Sequence, residues 1–334
     1  MKRIAVIGAG SWGTALAIVA ARAGHEVHLW SHNASAVESI NREHINPRYL
    51  TESRIPHNVR ATSNIVEAVN SAELVILAAP SHATRALLET MVPALRAEMI
   101  IVSATKGIEI ETGKRMSQVV AEVLPQETRT RFVSLSGPSF AKEVAENHPT
   151  AVVAASDDRD AGHIVQTELS YDNLRIYTND DVVGTELGGS VKNVMAIAAG
   201  MVAGLGYGSN SIAALITRGL AEMTRLALHE DAKLETLMGL AGLGDLVLTC
   251  TGGLSRNRFV GQELGRGRSL NDIAASMNQI AEGMKTTLAV NRLAERIGVD
   301  MPITNEVHAV LYEGKLASDA AHELMTRPLR EESN

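Results

Sequence analysis

The most constraining feature of this chain lies near its N-terminus, where a short apolar run passes through closely spaced glycines into a stretch with helical spacing. The run Ile4 to Ile7 is mostly β-branched and too short for a helix. Gly8, Gly10 and Gly13 follow at G-x-G-x-x-G spacing. In such a motif the first glycine permits a tight turn, the second lets the backbone approach a pyrophosphate, and the third allows close packing of helix and sheet. The sequence therefore predicts a dinucleotide-binding strand, loop and helix.

The residues after the second predicted strand, Glu26 to Trp30, bear on which dinucleotide is bound. NAD-selective sites usually carry an acidic residue here, which holds the ribose hydroxyls and leaves no place for a 2′-phosphate. This chain continues with Ser31, His32 and Asn33, so no carboxylate stands at this point of the sequence. We therefore expect NADP or NAD as cofactor, with NADPH used at least as well as NADH and His32 as a contact. A solvated loop histidine is the alternative.

Short apolar runs alternate with helical stretches as far as about residue 180, and amphipathic helical stretches dominate beyond it. This pattern predicts an α/β fold with an N-terminal Rossmann-type, doubly wound, mostly parallel sheet, followed by an all-α C-terminal domain. A chain of 334 residues exceeds what one core usually supports. We place the dinucleotide-binding domain at residues 1–180 and the helical substrate-binding and catalytic domain at residues 181–334. Residues 44–63, with two prolines and Tyr49, are expected to form a loop or small hairpin over the cofactor.

Composition and charge exclude several classes of function. The net charge is −7 and no cluster of lysine and arginine is present, so neither nucleic acid nor an anionic membrane surface is an expected partner. The single cysteine, Cys250, cannot form an intramolecular disulfide and agrees with a cytoplasmic location. The apolar stretch Val194 to Tyr207 is shorter than the about 20 residues a membrane span needs, so we expect a buried helix. The apolar character of the helical domain is also compatible with a homodimer.

Two lysines are the best candidates for chemistry. In doubly wound sheets ligands lie beyond the carboxyl ends of the strands, and Lys106 follows a predicted strand in the run SATKG. Lys192 lies in TELGGSVKNVMAIAAG, among apolar and small residues. An amine stripped of water beside another cation gives up its proton more readily, so we predict that Lys192 is a general acid and base. A side chain that reaches water along apolar surface is the alternative.

A glycine-rich segment further on, GLAGLGDLVLTCTGGLSRNRFVG, carries two more candidates. Asp245 is either a helix cap or the partner of a catalytic cation. Ser255, Arg256 and Asn257 suit a phosphate, because arginine grips it with a forked pair of hydrogen bonds while the hydroxyl and amide complete the contact. An exposed loop is the alternative for these three. The eleven histidines are scattered without metal-ligand spacing, so no metal is expected.

Five motifs together carry a resemblance to a known family: GAGSWGTALA, SATKG, SGPSFAKEVA, GGSVKN and GLGDLVLTCTGGLSRNR. Over nearly its whole length the chain resembles the bacterial NAD(P)-dependent sn-glycerol-3-phosphate dehydrogenases. The resemblance implies reversible hydride transfer between a nicotinamide cofactor and the pair dihydroxyacetone phosphate and glycerol 3-phosphate. It thus implies an enzyme that acts on a phosphorylated three-carbon substrate and whose product feeds glycerophospholipid synthesis.

The resemblance also implies roles for individual residues. Lys192 would give its proton in the reduction and accept it in the oxidation. The implied substrate contacts are Lys106, Gly137, Ser139, Lys192, Asp245, Ser255, Arg256 and Asn257. The implied cofactor contacts are Ser11, Trp12, His32, Lys106, Ala141, Arg256, Ile280 and Glu282. Gly8, Gly10 and Gly13 of the glycine motif and Tyr49 of the predicted loop complete the expected cofactor site.

Two other functions remain open at this point. A two-domain hydroxyacid or sugar-acid dehydrogenase would also place a lysine and an asparagine at the start of its helical domain, but its carboxylate substrate would make no demand for a phosphate. A non-catalytic sensor of NADPH is the second alternative. Lys106, Lys192 and Asp245 argue against a sensor, because such a protein has no use for a buried acid–base group.

Overall fold

The computed structural model describes residues 1–125, 131–277, 281–329 and 331–332. The chain divides into two compact units. The first comprises Met1–Gly189 with Ala232–Asp245, and the second comprises Ser190–Asp231 with Leu246–Asn334. The domain boundary at residue 180 stays a prediction, because compactness does not test which segments fold independently.

The first unit is built on one sheet of eight strands. In chain order they are β1 (Arg3–Ile7), β2 (Glu26–Trp30), β3 (Val59–Thr62), β4 (Leu74–Leu77), β5 (Ile100–Ser103), β6 (Arg131–Ser136), β7 (Thr150–Ala155) and β8 (Leu174–Asn179). Their order across the sheet is β3-β2-β1-β4-β5-β6-β7-β8. All neighbours are parallel except β6 and β7, which run antiparallel. The predicted doubly wound, mostly parallel sheet is confirmed.

Helices connect the strands and follow them. They are α1 (Ser11–Arg22), α2 (Ala34–Glu43), α3 (Ile65–Val69), α4 (Ser81–Met91), α5 (Met116–Val123), α6 (Ala141–Ala145), α7 (Arg159–Leu169), α8 (Val182–Gly204), α9 (Ser209–His229), α10 (Leu234–Met238), α11 (Asp245–Thr251), α12 (Arg256–Gly265), α13 (Leu270–Ser276), α14 (Glu282–Ile297), α15 (Pro302–Tyr312) and α16 (Ala317–Thr326). Both faces of the sheet are covered. Ile4 and Val6 of β1 belong to one apolar cluster and Ala5 and Ile7 to another, so the central strands are continuous apolar runs.

The segment 44–63 differs from its prediction, because it contains the strand β3 at the edge of the sheet. Val59 and Ala61 are buried while Arg60 is exposed, so only two apolar side chains mark this strand. A four-residue edge strand with one covered face gives too short an alternation to detect. Nearer its start, the segment forms an isolated antiparallel bridge between Asn46 and Leu50.

The apolar helix expected over Val194 to Tyr207 is longer than predicted. Helix α8 has 23 residues and is the one helix in the described ranges that is long and apolar enough to cross a membrane. However, 83% of its apolar window is buried inside the protein. The helix begins at Val182, 12 residues before the stretch that was expected to form it. The expectation that it is too short to span a bilayer was therefore wrong. Its burial is that of a core helix.

In the second unit, glycines bring the backbones of α8 and α12 into contact. A Cβ atom on Gly200 would lie 2.1 Å from the Arg258 carbonyl oxygen, and one on Gly261 would lie 1.9 Å from that of Ile197. No side chain larger than hydrogen fits at either position. The small residues in the second unit therefore set the close packing of α12 on α8.

A buried carboxylate joins two further helices of the second unit. Glu222 of α9 accepts hydrogen bonds from the backbone nitrogens of Ile303 and Thr304, each at 2.9 Å, and from the Thr304 hydroxyl at 2.7 Å. It thereby satisfies N–H groups in the first turn of α15. Burial raises the pKa of Glu222 to about 7, against the opposing effect of these donors.

Candidate active site

The glycine-rich loop between β1 and α1 has two positions at which a larger residue cannot stand. Gly8 has a φ of +117°, and a Cβ there would lie 2.9 Å from the backbone of Ala78. A Cβ on Gly13 would lie 1.8 Å from the carbonyl oxygen of Gly8. The turn and the close approach of α1 to the loop therefore both require glycine.

Gly10 is glycine for another reason. A Cβ on Gly10 would meet no atom within 4 Å among the residues that the structure describes, and its φ of −71° suits any residue. No described side chain caps the N-terminus of α1, so the first N–H groups of this 12-residue helix are left to a ligand or to water. The open space beside Gly10 and these donors fit the pyrophosphate of a dinucleotide.

After β2, the structure separates the three residues expected near the adenine ribose. Ser31 is buried, and its hydroxyl accepts a hydrogen bond from the Asn33 nitrogen at 3.2 Å. The Asn33 side chain accepts from the Ala36 nitrogen at 3.1 Å and so caps α2. His32 is exposed between them. Of the three, His32 is thus the side chain that projects from this end of the sheet.

Lys106 lies at the centre of a polar cluster beyond β5 and β6. Its amine donates to the Gly137 carbonyl at 2.9 Å, to the Ser139 hydroxyl at 3.4 Å and to the Asp245 carboxylate at 2.8 Å. The Asp245 side chain is 1% exposed and the Lys106 side chain 14%. Of the two roles open to Asp245, the structure shows the partner of a cation. The pair is buried and hydrogen-bonded, which a buried charge requires.

Two further glycines let the backbone approach this cluster. Gly137 has a φ of +138°, and a Cβ there would lie 2.9 Å from the Cα of Val152. A Cβ on Gly189 would lie 2.4 Å from the Ser136 hydroxyl oxygen and 3.8 Å from the Lys106 side chain. Both glycines belong to motifs that the sequence singled out, SGPSFAKEVA and GGSVKN.

In the second unit, Lys192 is buried rather than extended to solvent. The residue is 5% exposed, and its amine donates a hydrogen bond to the Thr249 hydroxyl at 2.9 Å. The alternative of a side chain that reaches water is therefore wrong. Sequence reasoning missed Thr249, which is itself 5% exposed. The available signal was its position four residues, about one helical turn, after Asp245.

Asn257, expected as a substrate contact, has both ends of its amide engaged within the protein. Its nitrogen donates to the Asn193 side-chain oxygen at 2.8 Å, and its oxygen accepts from the Gly283 nitrogen at 3.0 Å. A Cβ on Gly283 would lie 2.7 Å from that same oxygen. Asn257 thereby connects the neighbour of Lys192 to the first turn of α14, which begins at Glu282.

The first turn of α12 presents Arg256. The preceding Ser255 is buried, and its hydroxyl accepts from the Arg258 nitrogen at 3.2 Å, so it caps the helix. Arg256 is exposed, in contrast to its two neighbours. An exposed guanidinium at a capped helix N-terminus can bind an anion.

The other predicted contacts lie as follows. The Ser11 hydroxyl donates to the Tyr49 carbonyl oxygen at 3.4 Å, and Trp12 packs half-buried against the core of the first unit. Ala141 begins α6, which packs against α1. Ile280 lies outside the described residues. Within the described part of the chain, no group of three histidine, cysteine, aspartate or glutamate residues could hold a metal ion.

Comparisons with known proteins agree along the whole chain. Residues 3–162 match the family model described as NAD-dependent glycerol-3-phosphate dehydrogenase N-terminus, and residues 181–322 match that of its C-terminus. The chain is 55% identical to a glycerol-3-phosphate dehydrogenase [NAD(P)+] of Koribacter versatilis over 98% of both chains. It is 50% identical to that of Geobacter sulfurreducens over 99% of both. A crystal structure of glycerol-3-phosphate dehydrogenase from Coxiella burnetii covers 98% of this chain and 99% of its own, with a TM-score of 0.94 at 41% identity.

The contrast between Gly10 and Gly13 gives a test of the dinucleotide loop. In Gly10→Ala, the added methyl group meets no described protein atom but would enter the open space where we expect the pyrophosphate. We expect an unchanged melting temperature without cofactor and a Kd for NADPH raised about 10-fold or more. Calorimetric titration and thermal unfolding measure the two quantities.

Gly13→Ala is the control, because its methyl group collides with the Gly8 carbonyl. This variant should lose stability without cofactor, by about 1–3 kcal/mol. An unaltered Kd in Gly10→Ala would contradict the assignment of that open space to the cofactor.

Proposed function

The chain belongs to the NAD-dependent glycerol-3-phosphate dehydrogenase family, and from this we infer that it catalyses the reversible, NAD(P)H-dependent reduction of dihydroxyacetone phosphate to sn-glycerol 3-phosphate. The observation that carries this conclusion is the match at 55% identity to an enzyme of that name along 98% of the chain. The product feeds glycerophospholipid synthesis. The substrate is a phosphorylated three-carbon compound, and the cofactor is NAD or NADP.

We propose that Lys192 is the general acid in the reduction and the general base in the reverse reaction. When bound, the reduced nicotinamide supplies the hydride. The Lys192 ammonium gives a proton to the alkoxide that forms at the former carbonyl oxygen. Two observations support this role: the amine is buried, and the Thr249 hydroxyl at 2.9 Å fixes its direction. In the oxidation the same amine, uncharged, takes the proton from the alcohol.

We assign to Lys106 the stabilisation of negative charge on the substrate. Its amine is held by the Gly137 carbonyl, the Ser139 hydroxyl and the buried Asp245 carboxylate, so its position is fixed before a ligand arrives. A preorganised donor of this kind typically contributes about 3 kcal/mol to the stability of a transition state. Asp245 keeps the charge on Lys106 compensated, and Gly137 and Ser139 complete the proposed substrate contacts.

For the phosphate of the substrate we propose Arg256 as the direct contact. Its residue is exposed at the start of α12, where the positive end of the helix dipole also favours an anion. We propose Ser255 and Asn257 as further contacts, and their side chains also order this site. Ser255 caps α12, and Asn257 ties its first turn to Asn193 and Gly283.

The proposed cofactor contacts follow the glycine loop and the end of β2. They are Gly8, Gly10, Ser11, Trp12, Gly13, His32, Tyr49, Lys106, Ala141, Arg256, Ile280 and Glu282. We also propose a cytoplasmic location, which the single, buried Cys250 supports, and a homodimer, which the apolar character of the helical unit supports.

Substitution of Lys192 tests the acid–base assignment. Wild-type protein should oxidise NADPH when dihydroxyacetone phosphate is supplied, and Lys192→Ala should lower kcat by about 10³-fold, because the proton donor is lost. Thr249→Val should lower kcat by about 10-fold with little change in the KM for substrate, since it loses only the orienting hydrogen bond. Thr249→Ser keeps the hydroxyl and should retain nearly full activity.

Cofactor affinity serves as the control for these variants, and we expect the Kd for NADPH to stay within about twofold of wild type. A Lys192→Ala protein that keeps a near-normal kcat removes Lys192 from the chemistry.

Arg256→Ala tests the phosphate contact. The loss of one charge-assisted hydrogen-bonding group should raise the KM for dihydroxyacetone phosphate by about 10- to 100-fold. The KM of Arg256→Lys should lie between those of the wild type and Arg256→Ala, because an ammonium keeps the charge but cannot form a bidentate pair of hydrogen bonds. Arg266→Ala is a matched control, since this exposed arginine follows the other end of the same helix and pairs with Glu263. An unchanged KM in Arg256→Ala would contradict the proposed contact between Arg256 and the phosphate.

Substitution of His32 tests the choice between NADPH and NADH. We propose that NADPH serves at least as well as NADH, because His32 is exposed after β2 and no carboxylate stands beside it in the sequence. His32→Asp should raise the KM for NADPH by about 10-fold or more relative to that for NADH, since a carboxylate repels the 2′-phosphate. Steady-state kinetics with each cofactor measures the ratio. A wild-type KM for NADH far below that for NADPH would overturn the proposal.

A further inference from the structure

A buried amide ties the segment between α2 and β3 to the glycine-rich loop. Asn46 is fully buried, and its side-chain nitrogen donates to the Ala9 carbonyl oxygen and to the Thr14 hydroxyl, each at 2.9 Å. Ala9 stands between Gly8 and Gly10, and Thr14 lies in the first turn of α1. The two hydrogen bonds therefore hold the turn that precedes the helix and the helix start itself.

The orientation of this amide follows from its partners. The Ala9 carbonyl can only accept a hydrogen bond, so the group that faces it must be the amide nitrogen. The amide oxygen of Asn46 has no hydrogen-bond partner among the described residues. The contribution of Asn46 to this contact thus comes from its two N–H donors.

The contact matters most in the middle of the loop, between the two packed glycines. Glycine has more conformational freedom than any other residue, and the space around Gly10 is open. Gly8 packs on the backbone of Ala78, and Gly13 packs on Gly8. The peptide between Gly8 and Gly10 is held from the other side by Asn46.

Asn46 is itself held in place by the segment that carries it. An antiparallel bridge joins Asn46 to Leu50, and the Ile55 nitrogen donates to the His44 carbonyl at 2.9 Å. The imidazoles of His44 and His57 are hydrogen-bonded at 3.0 Å across the base of the segment. The amide therefore reaches the loop from a support that is already ordered.

We propose that Asn46 is a positioning residue for cofactor binding. It sets the backbone of Ala9 and Gly10 in the conformation that presents the loop and the start of α1 to the pyrophosphate. Asn46 is too deeply buried to touch the cofactor itself. A loop that is already ordered binds its ligand without the entropic cost of fixing it, so Asn46 acts on affinity.

The test is calorimetric titration of the full chain with NADPH, without substrate. In Asn46→Ala, both hydrogen bonds are lost, and we expect a Kd raised about 10-fold. The value of kcat at saturating cofactor and the KM for dihydroxyacetone phosphate should stay within about twofold of wild type, because the ordered loop forms again once the cofactor is bound. Thermal unfolding without cofactor records the effect on stability.

Asn58→Ala is the matched control. The Asn58 side-chain nitrogen also donates to two acceptors, the carbonyl oxygens of Ala21 and His25, at 2.8 and 2.7 Å. These lie at and beyond the other end of α1, away from the loop. This variant should lose comparable thermal stability while its Kd for NADPH stays unchanged.

Substitutions of Thr14 give a second, milder test of the same contact, which applies even where Asn46→Ala fails to fold. Thr14→Val removes one acceptor and leaves the bond to Ala9, so we expect a Kd raised about threefold. Thr14→Ser keeps the hydroxyl and should restore wild-type affinity.

Two results would overturn the role of Asn46: an unchanged Kd in both Asn46→Ala and Thr14→Val, or an equal increase in Asn58→Ala. The inference also assumes that this loop binds the dinucleotide. A wild-type protein that does not bind NADPH would refute that assumption instead.

Discussion

The structure depends on one contact between backbones, that of α1 with the loop from which it starts. At Gly13 the helix approaches the Gly8 carbonyl so closely that even a methyl group would lie 1.8 Å from the oxygen. This contact fixes where the helix begins relative to β1, and with it the direction of the first N–H groups of α1. The open space at Gly10 and the two hydrogen bonds of Asn46 both lie at that helix start.

The sequence predicted most of the sheet, because its central strands are covered on both faces and appear as unbroken apolar runs. The edge strand β3 was missed, since only Val59 and Ala61 are buried in it. The antiparallel direction of β7 was not predicted either. The apolar run of β7 would look the same in a parallel or an antiparallel strand. The direction of a strand in the sheet depends instead on the segments that connect it to its neighbours.

The sequence indicates candidate site residues, but it does not indicate the contacts that these residues make. Strand ends and glycine motifs point to Lys106, Lys192 and Asp245 because their sequence neighbours are unusual. Hydrogen-bond partners distant in the chain leave no such signal. Asn46 contacts Ala9, 37 residues away, and Lys192 contacts Thr249, 57 residues away. The same limit applies to Ser255 and Asn257, whose hydrogen bonds to Arg258, Asn193 and Gly283 leave no mark in the sequence.

The three partners of Lys106 have a consequence for how a ligand enters and leaves. An ammonium group has three protons, and here each is directed at an oxygen of the protein. On the proposed role of Lys106, a substrate oxygen must displace one of these, and the contact with Ser139, the longest at 3.4 Å, is the weakest of the three. Binding would then exchange the Ser139 hydroxyl for a substrate oxygen as the third acceptor. When that oxygen leaves, the Ser139 hydroxyl can accept from the amine again, so under this proposal Lys106 keeps three hydrogen-bond acceptors with and without substrate.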